Sequence, residues 1–162
     1  MSDTALPDDD HPRAVVLRLW AALGRRDWDA VAALLSEDCI YLDMPTGPTL
    51  AAKGPQDTVK RLRIGLAGLS EYANHPGLLL TDGPDVIYEH SETWIWPTGE
   101  RADLPFVSVH RVCAGRVSLW KDYWNLDTLV SAAPQSWMAD FATADMSWIY
   151  DATADLSARS AH

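Results

Sequence analysis

The strongest constraint on the fold is the alternating pattern of residues 86–96. If this segment is a β-strand, alternate side chains share a face. One face then consists of Val86, Tyr88, His90, Glu92, Trp94 and Trp96. Glu92 places a carboxylate among aromatic rings, where an unpaired charge is costly. Either Glu92 is paired, or its pKa is raised so that it holds a proton near neutral pH, as a general acid requires.

Two further carboxylates lie on strand patterns with aromatic neighbours. In residues 116–125, Asp122 shares a face with Trp120 and Trp124, and in residues 39–44, Asp43 follows Tyr41 by two positions. Carboxylates whose surroundings push their pKa values apart can supply both an acid and a base. The sequence therefore predicts a polar catalytic site inside an apolar pocket.

Composition limits the class of partner. The chain has 162 residues, enough for one domain with a real core, and a net charge of −10, which disfavours nucleic acid and anionic membranes. Lys60, Arg61 and Arg63 are interpreted as one helix surface. The acidic start is no signal peptide, and no apolar run reaches membrane-spanning length. Cys39 and Cys113 are far apart and without metal-ligand spacing, which is typical of reduced thiols, so we expect a cytoplasmic protein.

Hydrophobic periodicity and turn residues predict an α+β class, with helices on one face of a sheet. The expected organisation is a disordered N-terminus over 1–11, one domain over 12–133, and a C-terminal helix and tail over 134–162. Helices are predicted over 12–23, 27–35, 55–69 and 134–150. Strands are predicted over 39–44, 78–80, 86–96, 104–112 and 117–125.

Three of these segments resemble the limonene-1,2-epoxide hydrolases. Residues 115–124 are similar to that family's glycine, basic, tryptophan, basic, aspartate, tyrosine, aromatic signature, and residues 41–45 are similar to its tyrosine, x, asparagine, methionine, proline segment. His90 and Glu92 stand where the family has an arginine two residues before an aspartate. The resemblance spans about Val15 to Leu126. It points to the SnoaL-like and epoxide-hydrolase branch of the nuclear-transport-factor-2-like (NTF2-like) superfamily.

The resemblance implies a cone-shaped, curved mixed sheet that helices close around one deep pocket, commonly in a homodimer. It also implies roles by position: Asp122 as general base, Tyr41 and Asp43 as holders of the attacking water, Glu92 as the acid, and His90 as the link between the acids. This chain departs from the family at three of these five positions, where His90, Glu92 and Asp43 replace arginine, aspartate and asparagine. His90 could instead be the general base itself. The family's pocket-lining positions correspond to Trp20, Leu23, Trp94, Leu104, Phe106 and Trp124.

We therefore expect a cofactor-independent acid–base enzyme that acts on a small apolar molecule. Hydration of an epoxide to a diol is the leading reaction. An isomerase, dehydratase or cyclase like the ketosteroid isomerases and SnoaL-like proteins is one alternative, and a non-catalytic binding protein for hydrophobic ligands is another. No metal is expected, because His90, Glu92, Asp122 and Asp43 show no metal-ligand spacing and the resembled family uses none. His110 is assigned to the core or a dimer interface, and Met138, Phe141 and Trp148 to the pocket mouth or a subunit interface.

Overall fold

The computed structural model describes residues 9–159. Three helices come early in the chain: α1 (Pro12–Gly24), α2 (Trp28–Ala33) and α3 (Pro55–Leu66). Asp27 caps α2 as its residue type predicts, because its carboxylate accepts a hydrogen bond from the amide of Ala30. The expected disorder of residues 1–11 falls mostly on residues 1–8, which lie outside the described residues.

The second helix is shorter than its predicted span of 27–35. It ends at Ala33, since strand β1 (Leu35–Asp43) begins two residues later and Leu35 pairs with Val117 of β6 (Arg116–Tyr123). The end of the segment that helical spacing assigned to α2 therefore pairs in the sheet instead. The predicted strand over 39–44 is the second half of β1.

The sheet is mixed, curved and open, and has seven strands in the described residues, in the order β3-β4-β5-β6-β1-β2-β7. The remaining strands are β2 (Ala51–Lys53), β3 (Glu71–Asp82), β4 (Asp85–Ile95), β5 (Arg101–Cys113) and β7 (Ile149–Tyr150). The β1–β6 pairing is parallel, and every other pairing is antiparallel. The expected α+β class with a mixed, curved sheet is confirmed.

The β5–β6 hairpin turns through Ala114 and Gly115, as predicted. Their φ angles are +49° and +71°. Two consecutive positive φ values match the right-handed twist of a two-residue hairpin. The turn pairs Cys113 with Arg116, and a register shift between Arg111 and Val112 then sets Ser108 opposite Asp122.

The prediction of one helix over 134–150 is wrong. The segment contains α5 (Gln135–Thr143) and then β7, while α4 (Leu126–Ala132) and α6 (Thr153–Arg159) flank it. The helix does not continue past Asp145, because the Asp145 carboxylate accepts hydrogen bonds from the amide and hydroxyl of Ser147. Ile149 and Tyr150 then pair with Ala52 and Ala51 of β2. No helix in residues 9–159 is long and apolar enough to cross a membrane.

The core lies between the helices and the concave face of the sheet. Alternate residues of β4 and β5 are buried on this face, as period two predicts. His110 belongs to this core: it is fully buried, and its Nε2 accepts a hydrogen bond from the Trp20 indole at 3.2 Å. The aromatic interior continues toward the end of the sheet where the cavity opens.

Candidate active site

A cavity of about 140 Å³ opens between the concave sheet face and helices α3, α4 and α5. Its wall is mainly apolar, and the polar side chains on it are few. All six positions predicted to line a pocket contribute to this wall: Trp20, Leu23, Trp94, Leu104, Phe106 and Trp124. Tyr41, Asp43, Glu92 and Asp122 line the same cavity. Residues from β1, β4 and β6 therefore meet around one space.

Asp122 is a buried carboxylate on β6. Its Oδ1 accepts hydrogen bonds from the Ser108 hydroxyl at 2.5 Å and the Trp120 indole at 2.7 Å, and its Oδ2 from the Tyr41 hydroxyl at 3.3 Å. Burial raises the pKa of Asp122 well above its ordinary range, and the charges of Asp43 and Glu92 raise it further. A carboxylate in this setting holds a proton strongly, so it is a capable base once ionised.

Glu92 lies on β4 with both oxygens occupied. Its Oε1 accepts a hydrogen bond from the Tyr72 hydroxyl and its Oε2 from the Trp94 indole, each at 2.8 Å. Burial raises the pKa of Glu92 to about 7, against the opposing effect of these two donors. Of the two possibilities left by the sequence, the second applies. No cation within residues 9–159 is paired with Glu92, and its raised pKa leaves it part protonated at neutral pH.

Asp43 is paired with a cation that the sequence interpretation placed on the surface. Arg61 of α3 donates through Nη2 to Asp43 Oδ2 at 2.5 Å, and its side chain is only 12% exposed. Burial acts to lower the pKa of Arg61, but the charges of Asp43, Tyr41 and Asp122 outweigh it and raise that pKa. The interpretation of Arg61 as helix surface is therefore wrong.

A signal for Arg61 was present in the helix spacing. Position 61 lies three residues after Thr58 and four before Gly65, and both of those are buried. The guanidinium is also covered by aromatic rings, 5.3 Å from the Phe141 ring centre and 5.5 Å from that of Trp148. Arg61 thus points inward between charged neighbours that face solvent.

His90 does not link the two acids directly. Its Nδ1 lies 2.7 Å from Asn74 Nδ2, and its Nε2 lies 2.9 Å from Ser108 Oγ. Both ring nitrogens are thus occupied, and neither contacts Glu92. Burial lowers the pKa of His90 to about 4, so the ring is neutral near pH 7. The expected coupling of the acids by a protonated His90 does not match this geometry.

Tyr72, Asn74 and Ser108 are site residues that the sequence analysis missed. Tyr72 and Asn74 precede the predicted strand over 78–80, whereas β3 begins at Glu71. Ser108 lay on a correctly predicted strand, and its inward parity was the available signal. The structure therefore adds one cation and three hydrogen-bonding groups to the five predicted site residues.

The cavity mouth is covered by α5. Met138 and Phe141 line the cavity together with Trp137. Trp148 is buried, 3% exposed, and lies beside Arg61. The expectation that the C-terminal aromatic residues cover the pocket fits these positions.

A family model and several solved structures match this chain. A family model for the SnoaL-like domain matches residues 16–120. An LEH-like epoxide hydrolase of M. tuberculosis is similar in structure, with 23% identity and a TM-score of 0.65 over 79% of this chain and 92% of that one. A putative SnoaL-like polyketide cyclase from Shewanella putrefaciens has 17% identity and a TM-score of 0.67, over 79% of this chain and 97% of that one.

A putative ketosteroid isomerase from Kribbella flavida is 28% identical, with a TM-score of 0.57 over 70% of this chain and 77% of that one. The hydrolase and the cyclase, at such low identities, show a shared fold alone. The family model carries more, because it spans well over half of the chain, from α1 through most of β6. The chain belongs to the SnoaL-like domain family of the NTF2-like superfamily.

Proposed function

We propose that the protein is an acid–base enzyme acting on a small apolar molecule, and that its reaction is the hydration of an epoxide to a diol. One observation carries this proposal: Asp122 and Glu92 are both buried on the wall of a single, mainly apolar cavity. Each carboxylate has its own hydrogen-bond donors, and each has a raised pKa. Such a pair can take a proton at one point of a substrate and give one at another.

In the proposed reaction, water lies between Tyr41, Asp43 and Asp122. Asp122, as the carboxylate, takes a proton from water while the water oxygen attacks an epoxide carbon. The carbon–oxygen bond of the ring breaks, and protonated Glu92 gives its proton to the leaving oxygen. The product is a diol, and solvent exchange returns the proton from Asp122 and restores Glu92. No cofactor is needed for these steps.

Arg61 supports this assignment through charge. Three carboxylates share the cavity, and the arginine neutralises Asp43, its direct partner. A buried ion pair needs close geometry and further hydrogen bonds, which Tyr41 and Trp124 supply to Asp43 Oδ1. Because Asp43 is engaged in this ion pair, we assign proton exchange to Asp122 and Glu92.

The test is turnover of a panel of terpene and cyclic epoxides in ¹⁸O-labelled water. We expect diol carrying one ¹⁸O atom from the wild type and at least a hundredfold less from Asp122→Asn, since acid–base groups contribute about 10²–10⁴ in rate. Asp57→Asn, on the outer surface of α3, is the matched control. Diol formation that Asp122→Asn leaves unchanged removes Asp122 from the mechanism.

A second candidate is isomerisation, dehydration or cyclisation in the same cavity. The contact of neutral His90 with Ser108, which reaches Asp122, favours it, because a histidine linked to a carboxylate suits proton movement at carbon. Exchange of solvent deuterium into a carbonyl ligand, without diol, distinguishes this reaction from hydration. Tight ligand binding without turnover, unchanged in Glu92→Gln, indicates a binding protein instead.

We also propose a homodimer formed through the convex face of the sheet. Leu80 pairs with Ile87 and Val107 with Tyr123 across neighbouring strands, and these four side chains are exposed by 37–55%. An apolar strip of this kind on a sheet face is typical of an interface. Sedimentation of the wild type is expected at twice the monomer mass and of Ile87→Glu at the monomer mass.

A further inference from the structure

A chain of hydrogen bonds runs behind Asp122, away from the cavity. It joins side chains of four strands, in the order Tyr88, Asn74, His90, Ser108 and Asp122. Ser108 stands directly opposite both Tyr88 and Asp122 in the sheet. Ser108 and His90 are 0% and 4% exposed. The hydrogen-bond chain is therefore closed to solvent where it meets Asp122.

The direction of each hydrogen bond follows from the donors available. The Tyr88 hydroxyl donates to Asn74 Oδ1 at 3.2 Å, which turns the Asn74 amide nitrogen toward His90 Nδ1. An amide nitrogen only donates, so Nδ1 must accept and the hydrogen of the neutral ring sits on Nε2. Nε2 then donates to Ser108 Oγ, and the Ser108 hydroxyl is left to donate to Asp122 Oδ1.

The surroundings of the ring keep it neutral. His90 is stacked between Tyr88 and Phe106, with ring centres at 4.7 and 5.3 Å, and Trp20 lies 4.3 Å away. Burial among these rings lowers the pKa of His90 to about 4. A protonated ring would also turn an N–H of Nδ1 against the N–H of Asn74.

We propose that His90 and Ser108 are positioning residues that fix which oxygen of Asp122 exchanges protons. The inference rests on the proposed role of Asp122 as base. Oδ1 is occupied by two donors, Ser108 and Trp120, whereas Oδ2 has, among residues 9–159, only the Tyr41 hydroxyl at 3.3 Å. The proton therefore enters and leaves at Oδ2. The other ionisable groups around Asp122 are Asp43, Glu92, Arg61, Tyr41 and Tyr72, and none of them belongs to the hydrogen-bond chain behind it.

The first test is NMR of the full-length protein, which needs no substrate. The ¹⁵N shifts of His90 at pH 7 are expected to show a neutral ring with hydrogen on Nε2. The titration of Asp122 is followed through its ¹³C-labelled carboxyl signal, which Asp122→Asn identifies. A ring with hydrogen on Nδ1, or a protonated ring, overturns the proposal.

The second test is Ser108→Ala. Loss of a donor to the ionised carboxylate is expected to raise the midpoint of the Asp122 titration by about one pH unit. His90→Phe, which keeps the stacking, is expected to raise it by less. Ser118→Ala is the matched control, because Ser118 is also a buried serine but donates to the Arg111 carbonyl. If Ser108→Ala does not fold, Ser108→Cys, a weak donor of similar shape, takes its place.

An unchanged midpoint in the folded Ser108 variant also overturns the proposal. Failure of the proposed function looks different: the NMR results hold, but no epoxide is hydrated. If the midpoint moves and the pH dependence of kcat does not, the positioning stands and Asp122 is not the base. A parallel shift of both, with KM unchanged, supports both conclusions.

Discussion

Arg61 Nη2 of α3 lies 2.5 Å from Asp43 Oδ2 of β1, and this ion pair closes one wall of the cavity. It joins β1 to α3, which are separated in the sequence by a turn, a short 3₁₀ helix (Pro48–Leu50) and β2. The pair is buried, so each charge depends on the other for compensation. This dependence makes the pair testable by substitution.

Arg61→Met is expected to destabilise the fold by about 3 kcal/mol or more, because it leaves the Asp43 charge buried without its partner. The double variant Arg61→Met with Asp43→Leu is expected to recover much of that loss, since no charge remains. Urea unfolding measures both. Arg63→Met, two positions along the helix and exposed, is the control and is expected to stay within about 0.5 kcal/mol. Equal losses for Arg61→Met and Arg63→Met would contradict this role.

The inward face of β4 followed from the sequence, because buried residues alternate with more exposed ones from Val86 to Glu92. In β6 both faces are buried from Val117 to Trp120, so Asp122 was placed by the tryptophans that share its face. Strand parity therefore placed Glu92 and Asp122 on inward faces, whereas the family resemblance supplied the apolar lining. The sequence did not place Arg61 in the site, because its inward position lies in a charged run whose other members face solvent. The sequence did not place Asn74 and Tyr72 in the site either, because β3 is mostly exposed and carries little hydrophobic pattern.

The C-terminal region shows where local pattern stops being enough. Helical spacing over 134–150 is genuine in α5, but Ile149 and Tyr150 complete a sheet edge whose partner, β2, is distant in sequence. Pairing of that kind is set by the tertiary fold. Helix α2 is shorter than predicted for the same reason, because Leu35 pairs with Val117 of the distant strand β6.

Stability should fall as pH rises through the range in which Glu92 ionises. The pKa of Glu92 is raised by burial from an ordinary 4.5 to about 7, so the folded state holds its proton more tightly than the unfolded chain. The contribution is fully present below pH 4.5 and is lost by about pH 7, amounting to about 3 kcal/mol. Asp122 acts in the same direction.

The effect of Glu92 is isolated by comparing Glu92→Gln with the wild type, because His90 has a lowered pKa and acts in the opposite direction over pH 4 to 6.5. Urea unfolding at pH 5 and pH 8 should show Glu92→Gln gaining stability relative to the wild type at the higher pH. Glu89→Gln is the control on the same strand, since Glu89 is exposed on the opposite face. A difference between Glu92→Gln and wild type that does not change with pH would mean that Glu92 ionises normally.

Phe141 is expected to govern entry to the cavity more than stability. No residue of α5 is fully buried, yet Phe141 lines the cavity and stacks near Trp137 at 5.6 Å. Phe141→Ala should weaken binding of a small apolar ligand by about tenfold, a loss of about 1.4 kcal/mol in binding free energy. Fluorescence titration of the tryptophans measures this. Asp140→Ala, at the exposed neighbouring position, should leave the affinity unchanged, and an equal effect of both variants would refute a local role for Phe141.

Tyr41 is expected to act on the chemical step. Its hydroxyl lies 3.1 Å from Asp43 Oδ1 and 3.3 Å from Asp122 Oδ2, so one hydrogen is held between two carboxylates. Tyr41→Phe should lower kcat by about tenfold or more with little change in KM, because the lost hydroxyl positions water without forming the apolar wall. It should also raise the pH at which the base ionises, since the two carboxylates then face each other without a shared donor. The control is Tyr123→Phe on the exposed face of β6. A rise in KM with kcat unchanged would place Tyr41 in substrate binding alone.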